Sequence, residues 1–366
     1  LKFLNLIYMY KNGIVITGLP NSDIRWEETD QLDIGAEFSL LNSRINGEIV
    51  YYEKNTSGII LYSPLPSESG FGSFNANVAD VSNNGWEISL SGDILQSKKI
   101  NWNSSFNISF PKGKVENLYG STIYRDGRTP SVVEGYPIGV ITGYDKIGIA
   151  QTQSEIEALD NEAPGGKYYS GLSQPGDYIY RDVDGDGRIT TNDRTVIGNI
   201  NPDYYGGWNN TLTYKNLDLN FNFQFAQGQD RQLSNSFRTW VDEYRNPFRN
   251  TISIVNDTWT PDNPDARYGR LGTAFETFSS TYVSDASYVR LKSASIGYKF
   301  PEKWLDKFSL TAAKITLSGN NLFTITNYLG LDPESISKPR GGQTTDLIRD
   351  EGYTYPITRT FTLGLN

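Results

Sequence analysis

Short turns and long excursions alternate strictly along this chain, and that pattern constrains its fold more than any single motif. Leu32, Ile34, Ala36, Phe38 and Leu40 alternate with Asp33, Gly35, Glu37 and Ser39, and after Asn42-Ser43-Arg44 a return strand carries Ile45, Gly47, Ile49 and Tyr51 on one face. A second hairpin sets Trp86, Ile88, Leu90 and Ile94 against Ile100, Trp102, Phe106, Ile108 and Phe110, with its turn near Ser97-Lys98. A third joins residues 208–214 to 217–225 through Lys215-Asn216, and further strands are expected at 287–300, 314–323 and 355–366. A period of two puts one row of side chains on each face of a sheet. The total is about nine strands, each near the ~10 residues that a tilted strand needs to cross a bilayer.

The connections after Tyr52, Phe110, Phe225 and Phe323 are long, whereas those at Asn42, Ser97 and Lys215 are short. In an up-and-down sheet, alternate connections lie at opposite ends, so every long loop falls at one end. The reading is all-β: an antiparallel transmembrane barrel wall with short periplasmic turns and long extracellular loops. The polar rows, rich in Asn, Ser, Thr, Asp and Gln, suit a wet lumen. A soluble sandwich explains the alternation but would carry more Lys and Glu on its solvent face. Trp86, Tyr214, Tyr288, Tyr298 and Tyr355 are candidates for interfacial girdles. Residues 55–79 are expected as a long Ser/Pro/Gly-rich connection and 154–159 as a short helix, with turn signals at Asn12-Gly13 and Pro20-Asn21.

Composition narrows the function. The chain has no Cys and no His, which removes disulfides, the usual zinc chemistry and the commonest general base, and no enzymatic role is expected. A net charge of -9 argues against nucleic acid as a partner. No apolar run approaches the ~20 residues of a spanning helix, which leaves a barrel open. The sequence opens on Leu1 without the order of a signal peptide, as expected of a mature chain or a fragment.

One motif stands apart. Residues 182–193 place carboxylates at Asp182, Asp184 and Asp186, a turn glycine at Gly187, an inward-pointing Ile189, and Asp193 in the twelfth position. This is the oxygen-rich spacing of a calcium loop, with the backbone carbonyl of Arg188 as a further ligand. Tyr178-Ile179-Tyr180 reads as extended, so no helix precedes the loop and a full EF-hand is not expected. A structural Ca2+ ion in an extracellular loop is the expectation. Trp240, Trp259 and Tyr282, in the long loops, are candidates for stacking on sugar rings.

Asn21-Ser22-Asp23-Ile24-Arg25-Trp26-Glu27, Tyr51-Tyr52-Glu53-Lys54, the 182–193 loop, Asn199-Ile200-Asn201-Pro202-Asp203, Tyr288-Val289-Arg290-Leu291-Lys292, Ser318-Gly319-Asn320-Asn321-Leu322-Phe323 and Tyr355-Pro356-Ile357-Thr358-Arg359-Thr360-Phe361 together resemble the C-terminal barrel half of SusC/RagA-type TonB-linked outer-membrane proteins of Bacteroidetes. The resemblance implies that residues 1–366 form a partial TonB-dependent receptor barrel, the last nine or so of about 22 strands, without plug, TonB box or signal peptide. It implies outer-membrane uptake of glycan or peptide cargo, with a SusD-like surface lipoprotein and the TonB complex as partners and membrane lipid around the wall. The alternatives are a secreted calcium-stabilised carbohydrate-binding β-domain and a carboxylate-based glycosidase, although no acid and base pair can be identified for the latter.

Overall fold

The computed structural model describes residues 3–8, 11–16, 18–120, 132–233, 253–271, 279–306, 310–334 and 357–366, the first two segments as backbone. In chain order, a hairpin of β1 (Phe3–Tyr8) and β2 (Lys11–Ile16) precedes β3 (Glu28–Leu40), β4 (Ile45–Pro64), β5 (Ser73–Gln96) and β6 (Ile100–Asn117). Four short strands follow: β7 (Val140–Gly143), β8 (Lys146–Ile149), β9 (Tyr178–Tyr180) and β10 (Thr195–Asn199). Helix α1 (Gln153–Glu162) lies between β8 and β9. Then come β11 (Tyr204–Tyr214), β12 (Leu217–Gln227), β13 (Asp230–Gln232), β14 (Val283–Asp285), β15 (Tyr288–Lys299), β16 (Lys314–Thr326) and β17 (Thr360–Leu365).

Nine of these make one antiparallel wall in the order β17-β16-β15-β12-β11-β6-β5-β4-β3. Every neighbour along it is also the next wall strand in the chain, as an up-and-down meander requires. Register decides what the two faces are. Phe38, Gly47, Leu90, Phe106, Trp208, Phe223, Leu291 and Phe323 are successive cross-strand partners from β3 to β16. One residue along, the partners are Glu37, Glu48, Ser89, Asn107, Gly207, Gln224, Arg290 and Thr324. One face is therefore an apolar surface and the other a polar one, set by a one-residue offset that a register slip would invert.

The turns at the short end put left-handed backbone mostly on residues that disfavour it. Leu41, Asn42 and Ser43 all have positive φ, as does Lys215 in the two-residue turn between β11 and β12. Such turns need left-handed backbone, which Asn tolerates and most residues resist. A fourth short connection, containing the helical turn Glu302–Leu305, links β15 to β16.

Three expectations need correction. Residues 55–79 are mostly strand: β4 and β5 run on past the rest of the wall to a 3-10 turn at Ser67–Ser69. The Ser/Gly-rich composition misled because the upper hairpin gains its own core, with Ala76, Val78, Ala79 and Val81 packed on Val115, Leu118 and Val132. Asn12-Gly13 lies inside β2 and makes no turn there. Tyr288 is buried and its hydroxyl donates to Glu334, so it is no girdle residue. Tyr355 lies outside the described residues, and the last strand begins at Thr360.

Candidate metal loop and the rim that carries it

Above the wall, residues 140–200 fold into a lobe with a water-soluble protein's kind of core. Tyr144, Ile149, Ile156, Leu172, Tyr178 and Tyr180 are buried together, with Ile189 and Trp259 packed against them. The helix expected at 154–159 is α1, capped by Thr152, whose hydroxyl accepts the Glu155 N–H at 3.2 Å. Strand β9, buried at all three positions, delivers the chain to the acidic loop, as its extended Tyr-Ile-Tyr sequence suggests.

The loop is built by carboxylates that accept nearby amides. Asp182 accepts from the Gly185 and Gly187 N–H groups at 2.7 and 2.8 Å, and Asp184 from Asp186 at 3.1 Å. Gly187 has φ 82°, and a Cβ there would stand 2.7 Å from Pro164 Cδ, so this position needs glycine twice over. The Ile189 N–H donates to the Tyr168 carbonyl at 2.8 Å, and the Ile189 side chain packs on the tyrosine core. Asp193 is fully buried: one oxygen accepts from Val183 at 2.8 Å and the other from Thr190 at 2.6 Å, closing a capping box.

Asp182, Asp184 and Asp193 each place one carboxylate oxygen within 4.8 Å of the others. Asp186 is outside this group; its carboxylate accepts the Arg188 N–H at 2.8 Å and lies 3.9 Å from that residue's guanidinium. The three converging acids fit a hard, oxygen-liganded cation. The amide bonds to Asp193 do not prevent ligation, since each carboxylate oxygen has a second lone pair. Partial burial pushes the Asp182 carboxyl upward, but the Gly187 and Gly185 amides outweigh it and the group titrates below its ordinary value. Tyr168 is shifted upward, first by burial and then by the negative charge of Asp182 and Asp193.

The loop's exit leads directly to the wall. Arg194 lies over the Tyr144 ring at 5.5 Å, and β10 pairs with β7. Asn199 donates to Asp230 at 3.0 Å, and Asp203 to the Gln227 carbonyl at 2.8 Å, one residue before β11. Of the candidate sugar-stacking residues, Tyr282 is buried and Trp259 is held by Gln151 at 2.9 Å within the lobe, so packing claims both. Trp240 lies outside the described residues.

A second feature of the rim escaped the sequence. Arg290, only 1% exposed, projects from the polar face of β15 and binds Asp332 with two bonds at 2.8 and 2.9 Å, and Glu334 as well. This clamp straps the segment after β16 to the wall. Its partners are more than forty positions away in sequence, so no local spacing announces them. Only the Tyr288–Lys292 pattern drew attention to the arginine.

An antiparallel wall, apolar on one face and polar on the other, with its elaborated loops at one end, is the architecture of an outer-membrane barrel. The chain belongs to the TonB dependent receptor-like, beta-barrel family, which matches residues 5–322, and its place is the outer membrane. It is similar to TonB-dependent receptor P3 of Formosa agariphila, 35% identical over 366 residues that cover 97% of this chain and 35% of that protein. It is also similar to TonB-dependent receptor SusC of Bacteroides thetaiotaomicron, 23% identical over 94% of this chain and 32% of that one. A solved structure of the RagAB peptide transporter shares the fold over 100% of this chain and 38% of its own, with a TM-score of 0.76 at 22% identity. The chain thus spans about a third of the length of these relatives.

Proposed function

We propose that this chain is part of the wall and rim of a TonB-dependent importer that takes up glycans or peptides through the outer membrane, with a SusD-like lipoprotein at its extracellular face. The observation that carries the reading is the register: the apolar residues of eight successive strands fall in one cross-strand row. Such a surface suits lipid and not water. Aromatic residues fit the two interfaces. Tyr51 and Trp86 are 5.1 Å apart at the upper edge, as are Phe110 and Tyr204 at 5.9 Å, while Tyr214 and Tyr298 lie at the lower edge. From Tyr204 to Tyr214 a rise of ~3.4 Å per residue at a tilt of ~40° gives about 26 Å, close to the apolar band of such barrels. Above the upper row the same face turns polar, at Glu53, Asn84 and Lys112. The secreted β-domain reading leaves the apolar face without a solvent and is set aside.

Within this reading the 182–193 loop binds Ca2+ through Asp182, Asp184 and Asp193 and anchors the extracellular lobe to the rim. The ion supplies counter-charge and fixed geometry, and no chemistry is routed through it. Growth of a strain lacking the whole gene on a panel of glycans and peptides tests the uptake role. Loss of growth on a particular polymer, restored by the gene, is expected. Unchanged growth and uptake across a panel that the parent uses would overturn it.

A further inference from the structure

We propose that the short-turn end of the wall is a binding surface for anionic phospholipid headgroups in the periplasmic leaflet of the outer membrane. The inference rests on the orientation adopted above. Its basis is a charge asymmetry. The chain carries a net charge of -9, and residues 132–203, in the lobe and its approaches, hold twelve acids and five cations. At the other end, the three tightest turns, 41–44, 97–99 and 215–216, hold four cations and no acid, and the fourth connection, 300–313, is balanced at two acids and two cations.

These turns are held to one another. The Lys215 N–H donates to the Lys99 carbonyl at 3.0 Å, and the Lys299 N–H to the Asn216 carbonyl at 2.9 Å. The backbone thus forms a continuous basic edge from Lys98 and Lys99 through Lys215 to Lys299. Not every cation on it is available. Arg44 donates to the Asp93 and Ile94 carbonyls at 2.8 and 2.9 Å, and Lys299 lies 3.7 Å from Asp218. Lys98, Lys99 and Lys215 are exposed, and none has a carboxylate partner among the described residues.

Position selects the occupant. Exposed Ile94, Leu95 and Leu217 bring the apolar face down to these turns, so the lysines stand where acyl chains give way to headgroups. Lys215 lies over the Tyr214 ring at 5.3 Å, and Tyr298, Phe300 and the 57% exposed Trp304 follow along the same edge. Lysine stems lie along apolar surface while their ammonium groups reach outward, and aromatic rings settle at this depth. Three ammonium groups at the headgroup level, without a carboxylate partner among the described residues, complement lipid phosphates that carry net charge, and favour them over zwitterionic ones.

The test uses the full-length protein that contains this chain, purified in neutral detergent and mixed with equal amounts of dioleoylphosphatidylglycerol and dioleoylphosphatidylcholine. Bound lipids are counted by native mass spectrometry. The wild type should retain the anionic lipid by roughly fivefold or more. Lys98→Gln, Lys99→Gln and Lys215→Gln together should bring the ratio near one, and arginine at the three positions should restore it. An unchanged preference in the glutamine variant would overturn the proposal. Salt offers a check on the unmodified protein, since the screening length falls from about 10 Å at 0.1 M to about 3 Å at 1 M. The preference should fall severalfold over that range, and indifference to salt would also count against the proposal. Orientation is read separately, with a membrane-impermeant amine reagent on intact cells. These lysines should stay unmodified. Their modification would overturn the orientation, and with it the choice of leaflet, whatever the lipid counts show.

Discussion

The wall and the lobe above it are made by one chain for two solvents. In the lobe, Ile156, Leu172 and Tyr180 are essentially inaccessible and surround one another, as in a protein that must hide its apolar surface from water. In the wall, Leu32, Ile34, Trp86, Leu90, Ile296 and Leu317 stay exposed while sharing one face. Their burial has to come from lipid. The difference teaches that exposure of apolar residues is no sign of poor folding here; it marks which part of the chain the membrane completes. It also explains the polar half of each strand, which faces a wet lumen and is rich in Asn, Ser and Thr.

The comparison can be broken most severely where wall and loops are fastened together. Arg290→Ala leaves Asp332 and Glu334 beside a buried vacancy in charge, and a broken buried pair costs about 3–5 kcal/mol. The strap after β16 should become protease-sensitive while the barrel still migrates as a folded species. Next comes the wall itself. Phe221→Arg at mid-membrane depth should cost about 2–4 kcal/mol in unfolding from lipid, and Asn222→Arg distinctly less. Equal costs would remove the distinction between faces.

The lobe responds to a different agent. Asp184→Ala should abolish calcium protection of the chain near Gly185 against protease, and Asp186→Ala should weaken it far less, because only Asp184 belongs to the converging group. Protection that is the same in both variants, with and without chelator, would remove the metal from the account. The smallest effect is that of pH without calcium. Asp182 titrates below its ordinary value of 3.8, so its contribution is fully present above that value and is lost as pH falls through the lower one. Loop protection should stay flat from neutral pH to about 4 and decline below.

The wall was legible in sequence because a period of two acts over ten residues at a time and repeats in every hairpin. Leu217 to Phe225 alone states which face each residue takes, and the pairing of β11 with β12 follows from Lys215-Asn216. The upper parts of β4 and β5 were not, since Thr56 to Ile59 is interrupted by irregular register and a positive-φ Gly58. The acidic spacing of 182–193 could be read from the sequence, but not that Asp182, Asp184 and Asp193 would converge with Asp186 outside their group. The Arg290 clamp joins distant segments, and such pairs leave no trace in local pattern.

The most direct test of the central claim uses the chain's lack of cysteine. Single cysteines at Leu219, Phe221 and Phe223, and at Asn220 and Asn222, are labelled with a fluorophore in the full-length protein reconstituted in lipid. Quenchers attached to acyl chains should dim the first three and spare the other two, with the reverse order for a water-soluble quencher. Equal quenching of both sets by the water-soluble agent, without response to the acyl-chain quenchers, would contradict the assignment of this sheet to a membrane-spanning wall.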